Sequence, residues 1–316
     1  MRRLTQNKVL VVTGPTATGK TALGVELALS LGGEIVSADS MQVYKGMDIG
    51  TAKVRPEEMR GVSHHMIDII EPKESFSVAR YVKLADECIA DILSRGKLPI
   101  IVGGTGLYID ALLRGTNFDE DASDPALRAR LEASYEEKGG EAMLRELSSF
   151  DPSRAEKLHP SDRKRVLRAL EVFYLTGRTI TEHDEESRLA PPRYEALKIA
   201  LSYKDRQELY KRIDARADSM EKEGLFDEVR ALLKSGVPEK STAMQGIGYK
   251  EAALYIKGEI SRAEAIEAIK RESRRYAKRQ LTWLRRDASV RWILWEKNPD
   301  FAYARQLSTG FFSGWK

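Results

Sequence analysis

The stretch that decides the fold is VLVVTGPTATGKTA, residues 9–22. Val9 to Thr13 predict a buried strand, and the next residues, Gly14 to Thr21, fit G-x-x-x-x-G-K-[ST] at every position. A helix begins near Lys20, and backbone N–H groups at a helix N-terminus attract an anion. Lys20 adds a positive charge, and the hydroxyl of Thr21 is suited to Mg²⁺. The sequence therefore predicts phosphate binding by Gly14, Pro15, Thr16, Ala17, Thr18, Gly19, Lys20 and Thr21.

Composition describes an ordinary soluble globular protein. The chain has 316 residues, 42% apolar and 32% charged, which is enough for about two domains. The single cysteine, Cys88, excludes an internal disulfide, and the four dispersed histidines lack zinc-finger spacing. The first strand is too short for a signal-peptide core, and no run of about 18 apolar residues occurs. We therefore expect a cytoplasmic protein without membrane contact, whose net charge of +4 does not by itself indicate a polyanionic partner.

Alternating strands and helices predict a P-loop NTPase-like α/β fold with a doubly wound parallel sheet. The predicted elements are a helix over 21–31, a strand over 34–38, a short strand within 63–70, a helix over 77–93, and strands over 98–102, 197–201 and 290–294. Ligands of such sheets lie at the carboxyl ends of the strands, so Asp39 and the glycine loop 103–106 should lie beside the phosphate loop. From its position alone, Asp39 could be either a turn residue or a catalytic residue.

A helical insertion interrupts the predicted α/β core. Residues 114–195 are predicted to form long helices and show no convincing strand. This insertion divides the core into residues 1–113 and 196–316. The insertion carries a basic cluster from Arg163 to Arg168, and charge alone leaves RNA contact and a solvated helix face both open.

The most basic segment follows later, between Arg262 and Arg286. Eight Lys or Arg lie between Lys270 and Arg286, opposed only by Glu272, with Tyr276 and Trp283 interleaved. An exposed salt-bridged helix would need more acids, so this helix is expected to face a nucleic-acid backbone, with aromatic rings available for stacking.

Two adjacent histidines, His64 and His65, precede Asp68 in the short strand region. Neighbouring strand residues point to opposite faces, so these histidines are not expected to share a metal. Whether the three side chains touch substrate or brace the sheet stays open.

Seven separate blocks give the chain a resemblance to the bacterial-type tRNA dimethylallyltransferase family. The blocks are GPTATGKT (14–21), SADSMQVYKGMDIGTAK (37–53), HHMID (64–68), VGGTGLY (102–108), RALEVF (168–173), QGIGYKE (245–251) and YAKRQLTWLR (276–285). The resemblance implies transfer of a dimethylallyl group from dimethylallyl diphosphate to adenosine N6 at tRNA position 37, next to the anticodon. A motif usually associated with ATP would then bind an allyl diphosphate.

The resemblance also assigns roles to residues. Asp39 matches the family's catalytic aspartate, and Arg216 matches its diphosphate-binding arginine. Catalysis would use Asp39, Thr21 and Arg216, with Mg²⁺ near Thr21 as the cofactor. The expected partners are the tRNA anticodon stem-loop and dimethylallyl diphosphate, with the chain acting as a monomer. The RNA side would comprise Asp39, Ser40, Met41, Gln42, Thr105, Arg128, Lys164, Arg165, Val166, Leu167, Arg168, Gln245, Gly246, Ile247, Gly248, Tyr249, Lys250, Lys278, Arg279, Gln280, Leu281, Thr282, Trp283, Leu284 and Arg285.

Three other functions are compatible with parts of the sequence. A small-molecule kinase would use the same loop, with Asp39 activating a hydroxyl, but would not need the basic segment. A free-nucleotide isopentenyltransferase would share the chemistry without the insertion and the basic helix. An ATP-gated RNA-binding module would bind tRNA and leave it unchanged.

Overall fold

A computed structural model describes residues 7–116, 124–189 and 191–315, apart from the side chain of Arg188. Its strands are β1 (Lys8–Thr13), β2 (Gly33–Ala38), β3 (His64–His65), β4 (Leu98–Gly103), β5 (Glu195–Tyr203) and β6 (Arg291–Trp295). These strands form one sheet of order β3-β2-β4-β1-β5-β6, in which every neighbouring pair is parallel. The predicted α/β fold with a parallel sheet is confirmed.

Both faces of the sheet are covered. Val9 and Val11 of β1 enter one hydrophobic core, whereas Leu10 and Val12 enter the other, because successive strand residues point to opposite faces. This explains the uninterrupted apolar run of β1.

The helices are α1 (Lys20–Leu31), α2 (Pro56–Met59), α3 (Val78–Ser94), α4 (Gly106–Arg114), α5 (Pro125–Ser148), α6 (Pro152–Ala155), α7 (Arg163–Thr176), α8 (Ile180–Leu189), α9 (Arg206–Glu223), α10 (Leu225–Lys234), α11 (Tyr249–Ile256), α12 (Arg262–Leu284) and α13 (Phe301–Trp315).

The chain divides into two compact units. The first comprises Met1–Leu113 with Arg193–Lys316 and contains the sheet, and the second is Arg114–Pro192. The described part of the second unit contains helices and no strand, and its core includes Leu127, Met143 and Leu167. The division falls three residues before the predicted boundary at 195, because Arg193 and Tyr194 already bind Asp86 of α3 in the first unit.

The sheet order determines which loops meet. Strand β4 lies between β1 and β2, with Val12 paired to Val102 and Ala38 paired to Gly103. The loops that follow these three strands therefore emerge side by side at the carboxyl edge of the sheet, where ligands of such folds bind. They are the phosphate loop, the turn beginning at Asp39 and the glycine loop 103–106. None of the helices in the described residues combines the length and apolarity of a membrane span.

Candidate active site

The phosphate loop is held in shape by the last elements of the chain. Gly19 has φ +85°, and a Cβ at this position would lie 2.6 Å from the ring of Phe301 in α13. The indole N–H of Trp295 in β6 donates to the carbonyl oxygen of Thr18 at 3.0 Å. Inside the loop, the Thr18 hydroxyl donates to the carbonyl oxygen of Pro15 at 2.9 Å. Contacts within the protein therefore fix the shape of the loop.

Lys20 lies at the base of this loop and forms no ion pair with a carboxylate of the described residues. Its ammonium donates to the Pro15 carbonyl oxygen at 2.8 Å. Burial and, to a smaller extent, the positive charge of Arg216 together lower the pKa of Lys20 to about 8, although Asp39 acts in the opposite direction. Two neighbouring half-buried cations, Lys20 and Arg216, make this pocket suitable for a strongly charged anion.

Asp39 follows β2 directly and begins a tight turn. One carboxylate oxygen, Oδ1, accepts hydrogen bonds from the backbone N–H groups of Met41 at 2.9 Å and Gln42 at 3.3 Å. The other oxygen accepts no hydrogen bond from the residues that the structure describes. A turn role and a catalytic role are therefore compatible, because one oxygen fixes the turn while the other is not hydrogen-bonded, and Asp39 lines both cavities.

Arg216 reaches the site from α9. Its guanidinium donates to the carbonyl oxygen of Thr51 at 3.4 Å, and burial lowers its pKa from the ordinary value. The loop before Thr51 is held by Glu228 of α10, whose carboxylate accepts hydrogen bonds from the backbone N–H groups of residues 48, 49 and 50. The hydroxyl of Tyr249 donates to the same carboxylate at 2.6 Å. Glu228 thereby fixes the strip of backbone against which Arg216 rests.

Two cavities meet at these side chains. The inner cavity, about 90 Å³, is lined by Lys20, Thr21 and polar groups of the sheet edge. The outer cavity, about 280 Å³, has apolar walls that include Met220 and Ile247. Both cavities are lined by Thr16, Asp39, Thr51, Arg216 and Tyr276. The arrangement joins a small anion pocket to a larger apolar chamber, with a carboxylate at the junction.

The inner cavity offers few ligands for a metal ion. The described residues contain no cluster of three His, Cys, Asp or Glu side chains that could hold one. The Thr21 hydroxyl lines the cavity beside Lys20. Mg²⁺ commonly binds through one or two protein oxygens together with substrate phosphates and water, so this donor set fits a magnesium ion that arrives with a diphosphate.

The three polar residues near β3 have separate surroundings. His64 lines the inner cavity, and its Nδ1 lies 2.8 Å from the carbonyl oxygen of Val62. His65 binds the buried carboxylate of Glu34, which also pairs with Arg95 and Lys97. Asp68 pairs with Lys53. His65 and Asp68 therefore brace the fold, and only His64 borders the site.

Helix α12 presents the predicted RNA side chains on one face only. Lys278, Arg279, Thr282 and Trp283 line an exposed groove of about 490 Å³ together with Arg275 and Arg286. Gln280 and Leu284 are buried, and Leu281 packs against the core. These three side chains do not line the groove, because a helix turns part of any contiguous block inward, and their contact with RNA stays a prediction. Arg285 is exposed.

The expectation that the basic helix lacks acidic partners also needs correction. Arg274 pairs with Asp214, and Lys270 pairs with Asp218, both acids on α9. Glu272 pairs with Arg271 and Arg275 within the helix. Acidic residues of α9, which is remote in sequence, thus neutralise part of the positive charge of α12. A count of charges along α12 alone could not reveal this.

Within the second unit, residues 164–168, which are predicted to contact RNA, also have a buried side and an exposed side. The side chains of Val166 and Leu167 are fully buried in the unit's core, whereas Lys164 and Arg165 are exposed, and RNA contact by this block stays a prediction. Arg128 and Arg168 both pair with the carboxylate of Glu171, which is 6% exposed. That carboxylate fixes the two guanidinium groups side by side.

The remaining predicted residues lie around the outer cavity. Ser40, Met41, Gln245, Gly246, Ile247 and Tyr249 line it, and Gln42 lines the inner cavity. Thr105 accepts a hydrogen bond from the Ser40 N–H at 3.1 Å. Lys250 is exposed, and Gly248 is buried with φ +99°. Tyr249 is 1% exposed and its hydroxyl binds Glu228, and its contact with RNA stays a prediction.

Two residues of the site, Glu228 and Tyr276, carry no local signal of a site role. Glu228 binds residues about 180 positions earlier in the chain, so no local pattern marks it. Tyr276 is predicted only as an aromatic residue of the basic helix, and its position at both cavities depends on tertiary packing. Together, the loop, the two cavities and the half-free carboxylate define a phosphate-loop α/β protein arranged for group transfer.

Comparisons with known proteins identify the family. The profile described as IPP transferase matches residues 42–287, and the one described as isopentenyl transferase matches residues 7–72. The chain belongs to the IPP transferase family. A tRNA dimethylallyltransferase of Acetivibrio thermocellus is 50% identical over 287 residues, which cover 91% of each chain. One from Thermoanaerobacter sp. is 48% identical over 308 residues, covering 97% of this chain and 98% of the relative.

Solved structures agree with this assignment. The tRNA isopentenylpyrophosphate transferase of Bacillus halodurans superposes with a TM-score of 0.73 at 44% identity, covering 98% of this chain and 96% of the other. A eukaryotic dimethylallyltransferase, solved acting on tRNA, gives a TM-score of 0.83 at 29% identity, covering 98% and 80%.

Proposed function

We propose that this protein transfers the dimethylallyl group of dimethylallyl diphosphate to N6 of the adenosine at tRNA position 37 and releases diphosphate. The observation that carries the proposal is the junction of an anion pocket and an apolar chamber at Asp39. Family membership supports prenyl transfer, and the geometry supports the division of roles among the residues.

The diphosphate would occupy the inner cavity. Backbone N–H groups of the phosphate loop, the Lys20 ammonium and the Arg216 guanidinium would neutralise the charge that grows on the leaving oxygen as the allylic C–O bond breaks. Thr21 would hold Mg²⁺ against the phosphate oxygens, and the ion would add further charge neutralisation there.

The acceptor adenine and the five-carbon group would share the outer cavity. The apolar walls suit the dimethylallyl chain, which carries partial positive charge as the C–O bond breaks. The free oxygen of Asp39 would remove a proton from N6 as the new N–C bond forms, because an exocyclic amine is a poor nucleophile while it keeps that proton. The products are N6-dimethylallyladenosine and diphosphate, with the proton on the carboxylate.

Two exposed basic surfaces would bind RNA. The groove of α12 supplies Lys278, Arg279 and Arg286, with Trp283 beside them. In the second unit, Lys164 and Arg165 are exposed, and Arg128 and Arg168 lie at Glu171. Phosphate contacts of this kind give affinity, and a base in a single-stranded loop reaches a pocket at low cost. We propose that the protein acts as a cytoplasmic monomer on the anticodon stem-loop.

The test is a labelling experiment with three substrates in parallel. Purified protein and Mg²⁺ are incubated with labelled dimethylallyl diphosphate and an anticodon stem-loop containing adenosine 37, the same stem-loop with guanosine there, or AMP. We expect label on N6 of the first RNA alone. Label on AMP would instead indicate a free-nucleotide prenyltransferase.

A parallel incubation with labelled ATP tests the remaining alternatives. Transfer of the γ-phosphate to a small metabolite, without prenylation of RNA, would contradict the proposal in favour of a kinase. Retention of RNA with no chemical change in either incubation would contradict it in favour of an RNA-binding module.

A further inference from the structure

Gln280 joins three parts of the site through one buried side chain. Its Oε1 accepts a hydrogen bond from the backbone N–H of Thr16 in the phosphate loop at 3.0 Å. Its Nε2 donates to the carbonyl oxygen of Gly104 in the second glycine loop at 2.9 Å. Gln280 itself belongs to α12 and is 6% exposed. The loops after β1 and β4 are thus bonded to the basic helix at one point.

The fit around this amide is close. A Cβ at Gly104 would lie 2.2 Å from Nε2 of Gln280, so the glycine is needed for the loop to approach the amide. An amide side chain offers both the acceptor and the donor at neutral pH, whereas an ionised carboxylate only accepts and a thioether is nearly inert. The structure therefore uses both ends of the Gln280 amide on backbone groups.

We propose that Gln280 is a positioning residue that sets the phosphate loop for the diphosphate donor, an inference that rests on the proposed function. Thr16, the residue that it holds, lines both cavities. Tyr276, one turn earlier on α12, lines the same two cavities and interacts with the side chains of Gln280 and Thr105. By fixing Thr16 before the donor arrives, the amide lowers the ordering cost of binding.

The exposed neighbours of Gln280 have a different role. Lys278, Arg279 and Thr282 line the groove on the outer side of α12, whereas Gln280 points to the loops. Loss of the Gln280 amide should therefore affect the donor, and loss of the Lys278 charge should affect RNA. This difference separates a positioning role from the RNA contact predicted from the sequence.

The first test compares Gln280→Met with Lys278→Gln as a matched control on the same helix. Binding of dimethylallyl diphosphate without RNA, binding of the anticodon stem-loop without donor, and the melting temperature are measured for both. For Gln280→Met we expect donor affinity to fall about tenfold, as loss of two hydrogen bonds permits, with RNA affinity changed less than twofold. For Lys278→Gln we expect the reverse pattern.

The second test uses Gln280→Glu and the pH dependence of donor binding. An ionised carboxyl accepts from the Thr16 N–H but repels the Gly104 carbonyl oxygen, whereas a protonated one donates to that oxygen and restores both bonds. Donor affinity of this variant, relative to unmodified protein at the same pH, should recover as the pH falls. Gln280→Met should show no such recovery.

Other results would overturn the proposal. RNA affinity that falls in Gln280→Met while donor affinity holds would make Gln280 an RNA contact. A lower melting temperature with unchanged donor affinity and no pH recovery would leave it a packing residue only. Donor binding is measured without transfer, so a failure of the proposed function would appear separately, as unmodified protein that binds donor and prenylates no RNA.

Discussion

Asp39 accepts a hydrogen bond from the backbone N–H of Met41 through Oδ1, at 2.9 Å, and its second oxygen accepts none from the described residues. One side chain thus both shapes the turn and serves as the candidate base. Replacement by asparagine separates these functions, because an amide oxygen still accepts from the turn but does not take a proton from an amine.

For Asp39→Asn we expect transfer to fall by about 10² to 10⁴-fold, the usual contribution of a general base. RNA affinity and the melting temperature should stay close to those of the unmodified protein. Single-turnover kinetics with saturating donor and stem-loop measure the chemical step directly. Unchanged turnover would exclude Asp39 as the base.

For Arg216→Lys we expect the KM for dimethylallyl diphosphate to rise about tenfold or more, because a point charge replaces a fork of donors that suits phosphate oxygens. Steady-state kinetics with varied donor at saturating RNA measure this effect. Arg212→Gln is the matched control, since Arg212 lies one turn earlier on α9 and binds Asn298. Equal KM values for the two variants would contradict the assignment of Arg216.

For the double replacement of Lys278 and Arg286 by glutamine, we expect the slope of log affinity for RNA against log salt to fall by about 1 to 2, one increment per phosphate contact. Filter binding across a salt series measures the slope. Arg274→Gln is the control, because Arg274 pairs with Asp214 and its loss should lower the melting temperature instead. A slope that changes only in the control would indicate that RNA contacts Arg274 rather than Lys278 and Arg286.

The lowered pKa of Lys20, about 8, gives donor binding a pH dependence of definite sign. The protonated ammonium attracts diphosphate, so donor affinity should stay constant below pH 8. Well above pH 8 it should fall about tenfold per pH unit, as expected when binding is coupled to one proton. Calorimetric titration without RNA from pH 7 to 9.5 measures this. Lys20→Arg keeps its charge throughout, so its affinity should be flat over this range.

Much of the site could be predicted because its signals are local. The phosphate loop is contiguous, and Asp39 follows an apolar strand whose carboxyl end must lie at the ligand edge of a parallel sheet. Arg216 came only from the resemblance, since a single arginine on a helix has no local signal. Sequence alone therefore predicted the chemistry at the sheet edge but not every side chain that completes it.

What could not be predicted depends on contacts between distant segments. The prediction treated the blocks on α12 and α7 as continuous RNA faces, and packing turned Gln280, Leu284, Val166 and Leu167 inward. Asp214 neutralises Arg274 from another helix, and Glu228 holds a loop about 180 residues away. Such pairings follow from the assembled tertiary structure, which no window of sequence contains.

Trp295 and Phe301 touch a loop that is synthesised near the start of the chain, and the Trp295 bond to Thr18 spans 277 residues. During translation, the glycine-rich turn emerges from the ribosome long before the segment that clamps it. The contacts that clamp this turn would thus form only late in synthesis, after the second unit and the basic helix have been made.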